Sequence, residues 1–368
     1  MRILHVVPTY LPARRYGGPI FAVHGLCKAL VARGHRADVI TTNVDGDSQS
    51  DVPLDVPLSL DGVHVRYYAS QFRRLYWSSS LHRALKASVR EYDVVHLHSV
   101  FLDPTRAAAR AAVAAKTPYV ISPRGMLVRE LIAEKSTLAK KAWIRLIERR
   151  NFANATAIHF TSKREWDDAK EVAIALPSPF VVPNGIDLSP RRDFARDDST
   201  ILFLGRVNWK KGIDLLIESL TSLPEMRLVV AGNDEEHYIP RLSELAERIG
   251  VKQRVEFRGS VSGDEKDKLL GSARVLVLPS ISENFGNVVI EAMAAATPVI
   301  VAEGVGVAED VRRAHAGLVV ERKPQAIANA IREVSAEMGE RGRTLVEERF
   351  TWPRVAEEME REYERLRR

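Results

Sequence analysis

Four residues in the second half of the chain have the types and spacing of a binding turn for a phosphorylated ligand. Gly205-Arg206 follows an apolar run over 201–204 that is typical of a buried strand, and Lys211-Gly212 opens the next helical pattern. A glycine lets the backbone approach a ligand closely, and two cations beside a helix N-terminus can reach one anion. The spacing therefore predicts a diphosphate site, with a basic surface turn as the alternative.

Two carboxylates further along the chain predict a second part of this site. Glu283 lies in the loop after an apolar run that ends at Leu278, and Glu291 follows eight residues later, about two helical turns along. A carboxylate accepts hydrogen bonds from two neighbouring hydroxyls, so we expect Glu283 to hold a sugar and Glu291 a ribose. Gly286 and Asn287 stand near the helix start, where backbone N–H groups are free to bind oxygen atoms. Two solvated helix charges are the alternative.

The first half of the chain contributes two histidines and an arginine at predicted strand ends. His96 and His98 alternate along a strand, so their side chains share one face. We expect His98 to contact a substrate, with a packed structural histidine as the alternative. Arg124 follows the next predicted strand, and it cannot act as a base because it stays protonated at neutral pH. We expect it to bind a phosphate group.

Strands that alternate with helices must position these residues. The predicted strands are 3–7, 38–42, 93–97, 119–122 and 157–161 in the first half, and 201–204, 227–231, 255–258, 275–278 and 298–301 in the second. Such alternation indicates parallel sheets with right-handed crossovers. A turn-rich segment at 182–187 separates the two runs and predicts a hinge. We therefore predict an α/β fold of two doubly wound, Rossmann-like domains that face each other across a ligand-binding cleft.

These motifs together resemble those of retaining glycosyltransferase family 4, the glycosyl transferases group 1, which has the GT-B fold. The resemblance rests on the Gly-Arg and Lys-Gly pairs with the E-x7-E spacing, and it extends to 17–19, 182–187, 291–300 and Trp352. It implies retaining, metal-independent transfer of a hexose from a UDP- or GDP-linked donor, with no cofactor. The implied acceptor is a glycan or a lipid-linked molecule in polysaccharide or glycoconjugate biosynthesis.

The resemblance also implies roles for domains and residues. An acceptor-binding domain would span 1–181, a nucleotide-sugar-binding domain 182–348, and a terminal helix at 349–368 would cross back to the first domain. Arg206 and Lys211 would bind the donor diphosphate and stabilise it as it leaves, while Glu283 would hold the donor sugar. The implied donor-binding residues are Gly17, Gly18, Gly205, Arg258, Phe285, Gly286, Asn287, Val288 and Glu291.

Two residues of the first domain complete the candidate site. His98 is a candidate for catalysis, and both His98 and Arg124 are candidates for acceptor binding. The family often has a histidine where this chain has Arg124, and it commonly has a glycine where this chain has Ala296.

The composition indicates a folded protein with anionic partners. Of 368 residues, 45% are hydrophobic and 28% are charged, and the net charge of +6 suits nucleotide phosphates, lipid headgroups or nucleic acid. The single cysteine, Cys27, excludes an intramolecular disulfide, and no apolar stretch approaches the roughly 20 residues of a spanning helix. We expect a cytoplasmic location.

A basic helical pattern at 136–150 suggests contact with an anionic membrane surface. Its cations are Lys140, Lys141, Arg145, Arg149 and Arg150, and its apolar residues are Trp143, Leu146 and Ile147. Such a helix can lie on the inner face of a membrane. The alternative is an ordinary surface helix whose apolar stripe packs inward.

Other functions fit the sequence less well. A nicotinamide-dependent oxidoreductase should carry G-x-G-x-x-G directly after its first strand, whereas here Gly17-Gly18 comes after a long gap. A nucleic-acid-binding protein should gather cations around aromatic platforms, but the cations are spread and aromatic residues are only 7%. We expect no metal site, because no paired acidic motif stands clearly at a strand end.

Overall fold

Two α/β units make up the chain. The structure is a computed structural model, and it describes residues 1–13, 17–128, 142–172, 174–190, 192, 194–234 and 236–367. One unit comprises Met1–Gly185 and Trp352–Arg368, and the other comprises Ile186–Thr351. The break after Gly185 lies four residues beyond the predicted boundary, and the chain returns to the first unit at Trp352 rather than at 349.

The first unit is built on a mostly parallel sheet. Its strands are Arg2–Val6 (β1), Arg36–Thr42 (β2), Val44–Asp45 (β3), Ser48–Gln49 (β4), Pro57–Leu60 (β5), Val63–Tyr68 (β6), Val94–His98 (β7), Tyr119–Ser122 (β8), Ala157–Phe160 (β9) and Pro179–Val181 (β10). The strand order is β10-β9-β8-β7-β1-β2-β6-β5, and only β5 runs antiparallel to its neighbour. Strands β3 and β4 form a separate hairpin. The central strands are buried, as in parallel sheets covered on both faces.

Helices cover this sheet. They are Gly18–Ala32 (α1), Ser79–Ser88 (α2), Asp103–Ala115 (α3), Arg149–Asn154 (α4), Lys163–Lys170 (α5) and the terminal Trp352–Leu366, numbered α13 below. Phe21 of α1 is 47% exposed. Within the described residues, no helix combines the length and apolarity needed to cross a bilayer.

The second unit contains a fully parallel, six-stranded sheet. Its elements are Asp197–Leu204 (β11), Ile213–Ser219 (α6), Arg227–Ala231 (β12), Ile239–Arg248 (α7), Val255–Gly259 (β13), Gly263–Ser272 (α8), Ala273–Leu278 (β14), Asn287–Ala294 (α9), Val299–Ala302 (β15), Ala308–Arg313 (α10), Gly317–Val320 (β16), Pro324–Glu333 (α11) and Ala336–Leu345 (α12). The order is β13-β12-β11-β14-β15-β16. The predicted α/β class with two parallel sheets is therefore confirmed.

The terminal helix α13 packs into the first unit through one apolar face. Its buried residues recur at helical spacing and are Trp352, Val355, Ala356, Met359 and Tyr363. The indole of Trp352 lies against Gly25 and Gly185, where a Cβ would stand 2.2 Å and 2.4 Å from ring atoms. Only glycine at these two positions leaves room for the ring.

The predicted basic helix is partly described. Its residues 136–141 lie outside the described residues, whereas the segment from 142 to 154 is helical. Leu146 is 72% exposed, so it does not belong to a stripe that packs inward. Trp143 instead donates to the buried carboxylate of Glu148 at 2.9 Å.

Candidate functional site

The two sequence motifs of the second unit meet because their strands are neighbours. β11 pairs in parallel with β14, with Ile201 opposite Val275 and Leu202 opposite Leu276. The loops that follow these strands, 205–212 and 279–286, therefore leave the sheet at the same edge. This edge is where parallel α/β sheets bind ligands.

A hydrogen bond and a close backbone contact hold these two loops together. The Ile281 N–H donates to the Lys210 carbonyl at 2.8 Å. Gly212 has φ +71, and a Cβ there would lie 2.5 Å from the Pro279 carbonyl oxygen. Because a side chain at Gly212 would push the loops apart, this glycine sets the position of the residue before it.

That residue, Lys211, forms an ion pair with Glu283. The Lys211 ammonium donates to one carboxylate oxygen, and the two side chains are 13% and 26% exposed. An ammonium has three N–H donors, so two remain for a ligand. Because Glu283 holds the Lys211 ammonium on one side, the other N–H groups of Lys211 can point toward phosphate oxygens.

The backbone of Glu283 is fixed by the loop after β15. Its N–H donates to the Gly304 carbonyl at 2.9 Å, and its own carbonyl accepts from the Gly306 N–H at 2.9 Å. A Cβ on Gly306 would lie 2.2 Å from the Asn284 carbonyl oxygen, so the two loops touch through backbone alone. This packing holds Glu283 rigidly, as a site that orients a sugar requires.

The residues after Glu283 lead into helix α9. Gly286, with φ +102, precedes the first helical residue, Asn287. Asn287 and Val288 are partly exposed in the first turn, where N–H groups have no partner within the helix. The Phe285 side chain is buried and packs edge-on against Phe350 at 5.9 Å, so only its backbone is available to a ligand.

Glu291 presents an unpartnered oxygen beside a lysine that the sequence reasoning missed. Lys266 of α8 lies 2.8 Å from Glu291 Oε1. The other oxygen, Oε2, is buried and accepts no hydrogen bond from the described residues. A buried carboxylate oxygen without a donor costs free energy, and a ribose hydroxyl would supply the donor. No local pattern links Lys266 to Glu291, because helix packing alone joins them.

Of the other predicted donor residues, Gly17 and Gly18 lie at the N-terminal start of α1 in the first unit, whereas Gly205 and Arg258 lie at the sheet of the second unit. Arg258 is within the edge strand β13, where it contacts Glu256 at 2.5 Å and Glu265 at 3.7 Å. Arg206 is exposed on the loop that begins at Gly205. A Cβ on Gly232 would lie 1.7 Å from the Gly205 carbonyl oxygen, so these two turns also touch through backbone.

The predicted residues of the first unit lie in a buried cluster of histidines. His96 and His98 share a face of β7 with stacked rings 4.2 Å apart, and His5 and His159 lie nearby on β1 and β9. Burial and the neighbouring Arg124 lower the pKa of His5 and His159 to about 3. Burial also lowers the pKa of His96 and His98 well below the ordinary value, so all four rings are neutral.

Because the rings are neutral, the donor and acceptor of each bond can be assigned along one series of hydrogen bonds. His159 Nε2 lies 2.8 Å from the Val182 carbonyl, so Nε2 carries the hydrogen and Nδ1 accepts. The Ser122 hydroxyl therefore donates to His159 Nδ1 at 2.6 Å and accepts from His96 Nε2 at 2.6 Å. His96 Nδ1 then accepts from the Tyr363 hydroxyl at 2.6 Å. This series of hydrogen bonds links α13 to strands β7, β8 and β9.

A second chain of hydrogen bonds engages Arg124 and His98. Two guanidinium nitrogens of Arg124 lie 3.4 Å and 3.2 Å from His98 Nδ1, and a third donates to Asn184 Oδ1 at 3.0 Å. His98 Nε2 then donates to His5 Nδ1 at 3.0 Å, and His5 Nε2 is buried without a partner among the described residues. Both ring nitrogens of His98 are thus engaged, so contact with a substrate requires one of these bonds to break.

The backbone at Arg124 is held in an unusual conformation. Arg124 has φ +55 and Gly125 has φ +76. The Gly125 N–H donates to the buried carboxylate of Glu165 at 2.7 Å. Thr161 gives that carboxylate two more hydrogen bonds, which fixes Glu165 in turn. Burial lowers the pKa of the Arg124 guanidinium below its ordinary value.

The histidine cluster fits a metal ion poorly. His5, His96 and His98 each offer a ring nitrogen, and these atoms lie within 4.8 Å of one another. Apart from His5 Nε2, their ring nitrogens already take part in hydrogen bonds. A metal ion there would also stand beside the cation of Arg124, which repels it.

Comparison with known proteins assigns both units. Residues 187–347 match the family model described as glycosyl transferases group 1, and residues 17–185 match that of a glycosyl transferase 4-like domain. An uncharacterised glycosyltransferase of Methanocaldococcus jannaschii is 29% identical over 97% of this chain and 96% of its own length. A D-inositol 3-phosphate glycosyltransferase of Xylanimonas cellulosilytica is 28% identical over 93% of this chain and 90% of its own length.

Solved structures share the fold over the whole chain. A sucrose-phosphate synthase from Thermosynechococcus elongatus has a TM-score of 0.76 at 21% identity, covering 100% of this chain and 99% of that one. HepE of Anabaena, solved in complex with UDP-glucose, has a TM-score of 0.74 at 18% identity, covering 99% of this chain and 100% of that one.

Proposed function

The chain belongs to the glycosyl transferases group 1, and we propose that it is a retaining transferase that moves a hexose from a UDP- or GDP-linked donor to a glycan or lipid-linked acceptor. The observation that carries this proposal is the ion pair of Lys211 with Glu283, which joins the two motifs at one sheet edge. The UDP-glucose complex of HepE, a protein of the same fold, favours a UDP-linked hexose.

Donor binding follows from the charges at this edge. Lys211 uses one of its hydrogens on Glu283 and offers the others to the diphosphate, while the exposed Arg206 adds a second cation. Glu291 Oε2 accepts from a ribose hydroxyl and so gains the donor it lacks in the free protein. Glu283 accepts from hydroxyls of the donor sugar, and Arg258 lies on the base side of the ribose.

The chemistry we propose is electrostatic. Departure of a nucleoside diphosphate leaves negative charge, and the cations of Arg206 and Lys211 stabilise that charge without a metal ion. Glu283 is engaged by Lys211, so we assign it to sugar orientation rather than to covalent attack. In this scheme the leaving phosphate oxygen takes the proton of the acceptor hydroxyl on the same face, and the anomeric configuration is retained.

We place acceptor binding on the first unit. Arg124 has five N–H donors, and His98 and Asn184 occupy three of its nitrogens once each. The remaining hydrogens suit a phosphate of the acceptor or donor. His98 orients the Arg124 guanidinium through its Nδ1, which is a positioning role that leaves the proton transfer to the diphosphate.

We further propose that the protein works in the cytoplasm in polysaccharide or glycoconjugate assembly, and that it rests on an anionic membrane surface through the helix around 142–154. The exposed Leu146 and the exposed cations Arg145, Arg149 and Arg150 support this contact. Flotation with anionic and neutral vesicles tests it. A variant with all three arginines changed to glutamate should stay with the soluble fraction, and unchanged flotation would contradict the contact.

A calorimetric screen tests the proposed transferase directly. Nucleoside diphosphates and nucleotide-sugars should bind and raise the unfolding temperature, whereas nicotinamide dinucleotides should do neither. Mass spectrometry of mixtures with candidate acceptors then identifies the product. Binding of nicotinamide dinucleotides in place of nucleoside diphosphates would refute the proposal.

A further inference from the structure

A short basic loop after β6 is held in one conformation by backbone hydrogen bonds. Trp77 closes it, because its N–H donates to the Phe72 carbonyl at 3.1 Å and its carbonyl accepts from the Gln71 N–H at 3.0 Å. The Ser70 hydroxyl also donates to the Trp77 carbonyl, at 3.2 Å. Between them, Arg73–Leu75 forms a single 3₁₀ turn. The tip of the loop is therefore ordered although it is exposed.

This ordered tip presents two cations and an aromatic ring to solvent. Arg73, Arg74 and Phe72 are exposed, and the Phe72 side chain is 53% accessible. Arg73 donates to the Asp47 carbonyl, which anchors its direction and leaves its other N–H groups available. Arg74 makes no hydrogen bond or ion pair with the described residues. The loop from Ser70 to Ser78 contains no acidic residue.

The tip lines a shallow cavity that is open to solvent. A cavity of about 640 Å³ is bounded by Gln49, Ser70, Gln71, Phe72, Arg73 and Arg74. Ligand sites for small molecules commonly enclose about 300–1,000 Å³ with a few convergent polar groups. Guanidinium groups, side-chain amides and one aromatic face are the chemistry that binds an acidic sugar.

The cavity also lies at the ligand-binding edge of the first unit's sheet. β6 is parallel to β2, so its C-terminal end emerges at the same edge as that of β8, after which Arg124 lies. Four strand spacings separate β8 from β6 in the order β8-β7-β1-β2-β6, which corresponds to about 19 Å at about 4.8 Å each. A molecule that reaches both places must be extended.

We propose that this cavity is a distal acceptor subsite that binds an acidic sugar unit of an extended acceptor glycan. The Arg73 and Arg74 guanidinium groups bind its carboxylate or phosphate, and the Phe72 ring packs against the apolar face of the sugar. This inference rests on the proposed transferase function, since it names the class of acceptor. It selects an acidic sugar over a neutral one.

A membrane surface is the competing partner for exposed aromatic and basic residues. A bilayer is contacted by several protruding apolar residues, whereas here the exposed Phe72 stands in a lining of two cations, two amides and a hydroxyl. Such polar groups recognise a discrete molecule that can enter the cavity. The observations therefore favour a glycan.

Calorimetry on the full-length chain tests the subsite with defined probes. The probes are tetragalacturonate, its neutral match maltotetraose, and glucose 6-phosphate as a phosphate-bearing sugar. We expect the double variant Arg73→Gln/Arg74→Gln to weaken binding of the acidic probes at least tenfold, as for lost charge-assisted hydrogen bonds. A control variant, Arg83→Gln/Arg110→Gln, removes the same charge from exposed positions of α2 and α3 and should bind as the wild type does.

Further measurements separate the possible failures. Phe72→Ala should weaken tetragalacturonate binding about fivefold without a change of charge. Binding of nucleoside diphosphate should be the same in all variants, so its absence in the wild type would mean that the transferase assignment has failed instead. Equal binding of tetragalacturonate and maltotetraose, no binding of any acidic probe, or loss only of anionic-vesicle binding in the double variant would each overturn the subsite.

Discussion

Lys211 and Glu283 lie 72 residues apart in the chain, and their side chains form an ion pair at the adjoining ends of two parallel strands. The pair is positioned by backbone, through the Ile281–Lys210 hydrogen bond and the contact of Gly212 with Pro279. The functional assignment and most of the tests below depend on this arrangement.

Removal of either cation should slow sugar transfer strongly. We expect Lys211→Ala and Arg206→Ala each to lower turnover by about 10²-fold, because each removes one cation that stabilises the leaving diphosphate. Release of nucleoside diphosphate, measured with the donor found by calorimetry, gives the rate. Lys268→Ala, which removes an exposed lysine from α8, is the matched control. Near-normal rates in both site variants would refute their roles.

The two glutamates should separate sugar transfer from nucleotide binding. Glu291→Gln keeps the shape of the side chain but removes the charged acceptor for ribose, so we expect at least tenfold weaker binding of nucleoside diphosphate. Glu283→Ala should reduce turnover much more than it reduces nucleotide affinity. Titration calorimetry and initial rates on the same two proteins make the comparison, and the reverse pattern would exchange their assignments.

Gly212 should be much less tolerant of a side chain than another glycine of the same conformation. Gly250 has φ +74 with open space around it, so Gly250→Ala measures the backbone cost alone, about 1–2 kcal/mol. Gly212→Ala adds the clash with Pro279, and we expect a total of about 3–5 kcal/mol. Calorimetric unfolding of the full chain compares them. Equal destabilisation would show that the loop contact is unimportant.

The buried histidines should make the first unit sensitive to acid. The folded-state pKa of His5 and His159 is about 3, whereas an unfolded histidine titrates near 6.5. As the pH falls below about 6.5 the unfolded state therefore binds protons first, and stability is lost down to pH 3 at about 1.4 kcal/mol per pH unit for each histidine. Above about pH 6.5 these histidines are unprotonated in both the folded and the unfolded state, so their titration no longer lowers the stability.

Urea unfolding between pH 7.5 and pH 5 measures this slope. The variant His159→Gln should reduce it by about one histidine's share, and His315→Gln, at an exposed position of the second unit, should leave it unchanged. An identical slope in wild type and His159→Gln would mean that His159 is not buried as a neutral ring.

Short apolar runs between polar segments made many strands of the fold predictable. Tyr119–Ser122 and Arg227–Ala231 were predicted with their observed ends, because short buried strands with clear polar flanks leave few alternatives. Strands β5 and β6 were missed, since residues such as His64 and Arg66 alternate with the apolar ones and one face is solvated. β16 was missed as well, although it completes the second sheet.

The candidate site was predictable where it follows strand ends and unpredictable where packing makes it. Lys211 and Glu283 could be assigned to one ligand site from sequence because each follows a predicted strand. Lys266 contacts Glu291 only because helices α8 and α9 pack together, and no local sequence pattern predicts that contact. Likewise His5 and His159 carry no motif, and only the strand order brings them beside His96 and His98.

The position of helix α13 has a consequence for how the protein is made. The first unit owes part of its core to Trp352, Met359 and Tyr363, which leave the ribosome after the whole second unit has been synthesised. During synthesis, the apolar surface around Ile3 and Val94 therefore stays uncovered until the second unit has been translated, and the first unit cannot complete its core before then. Fusion partners or deletions at the C-terminal end thus act on the unit that was translated first.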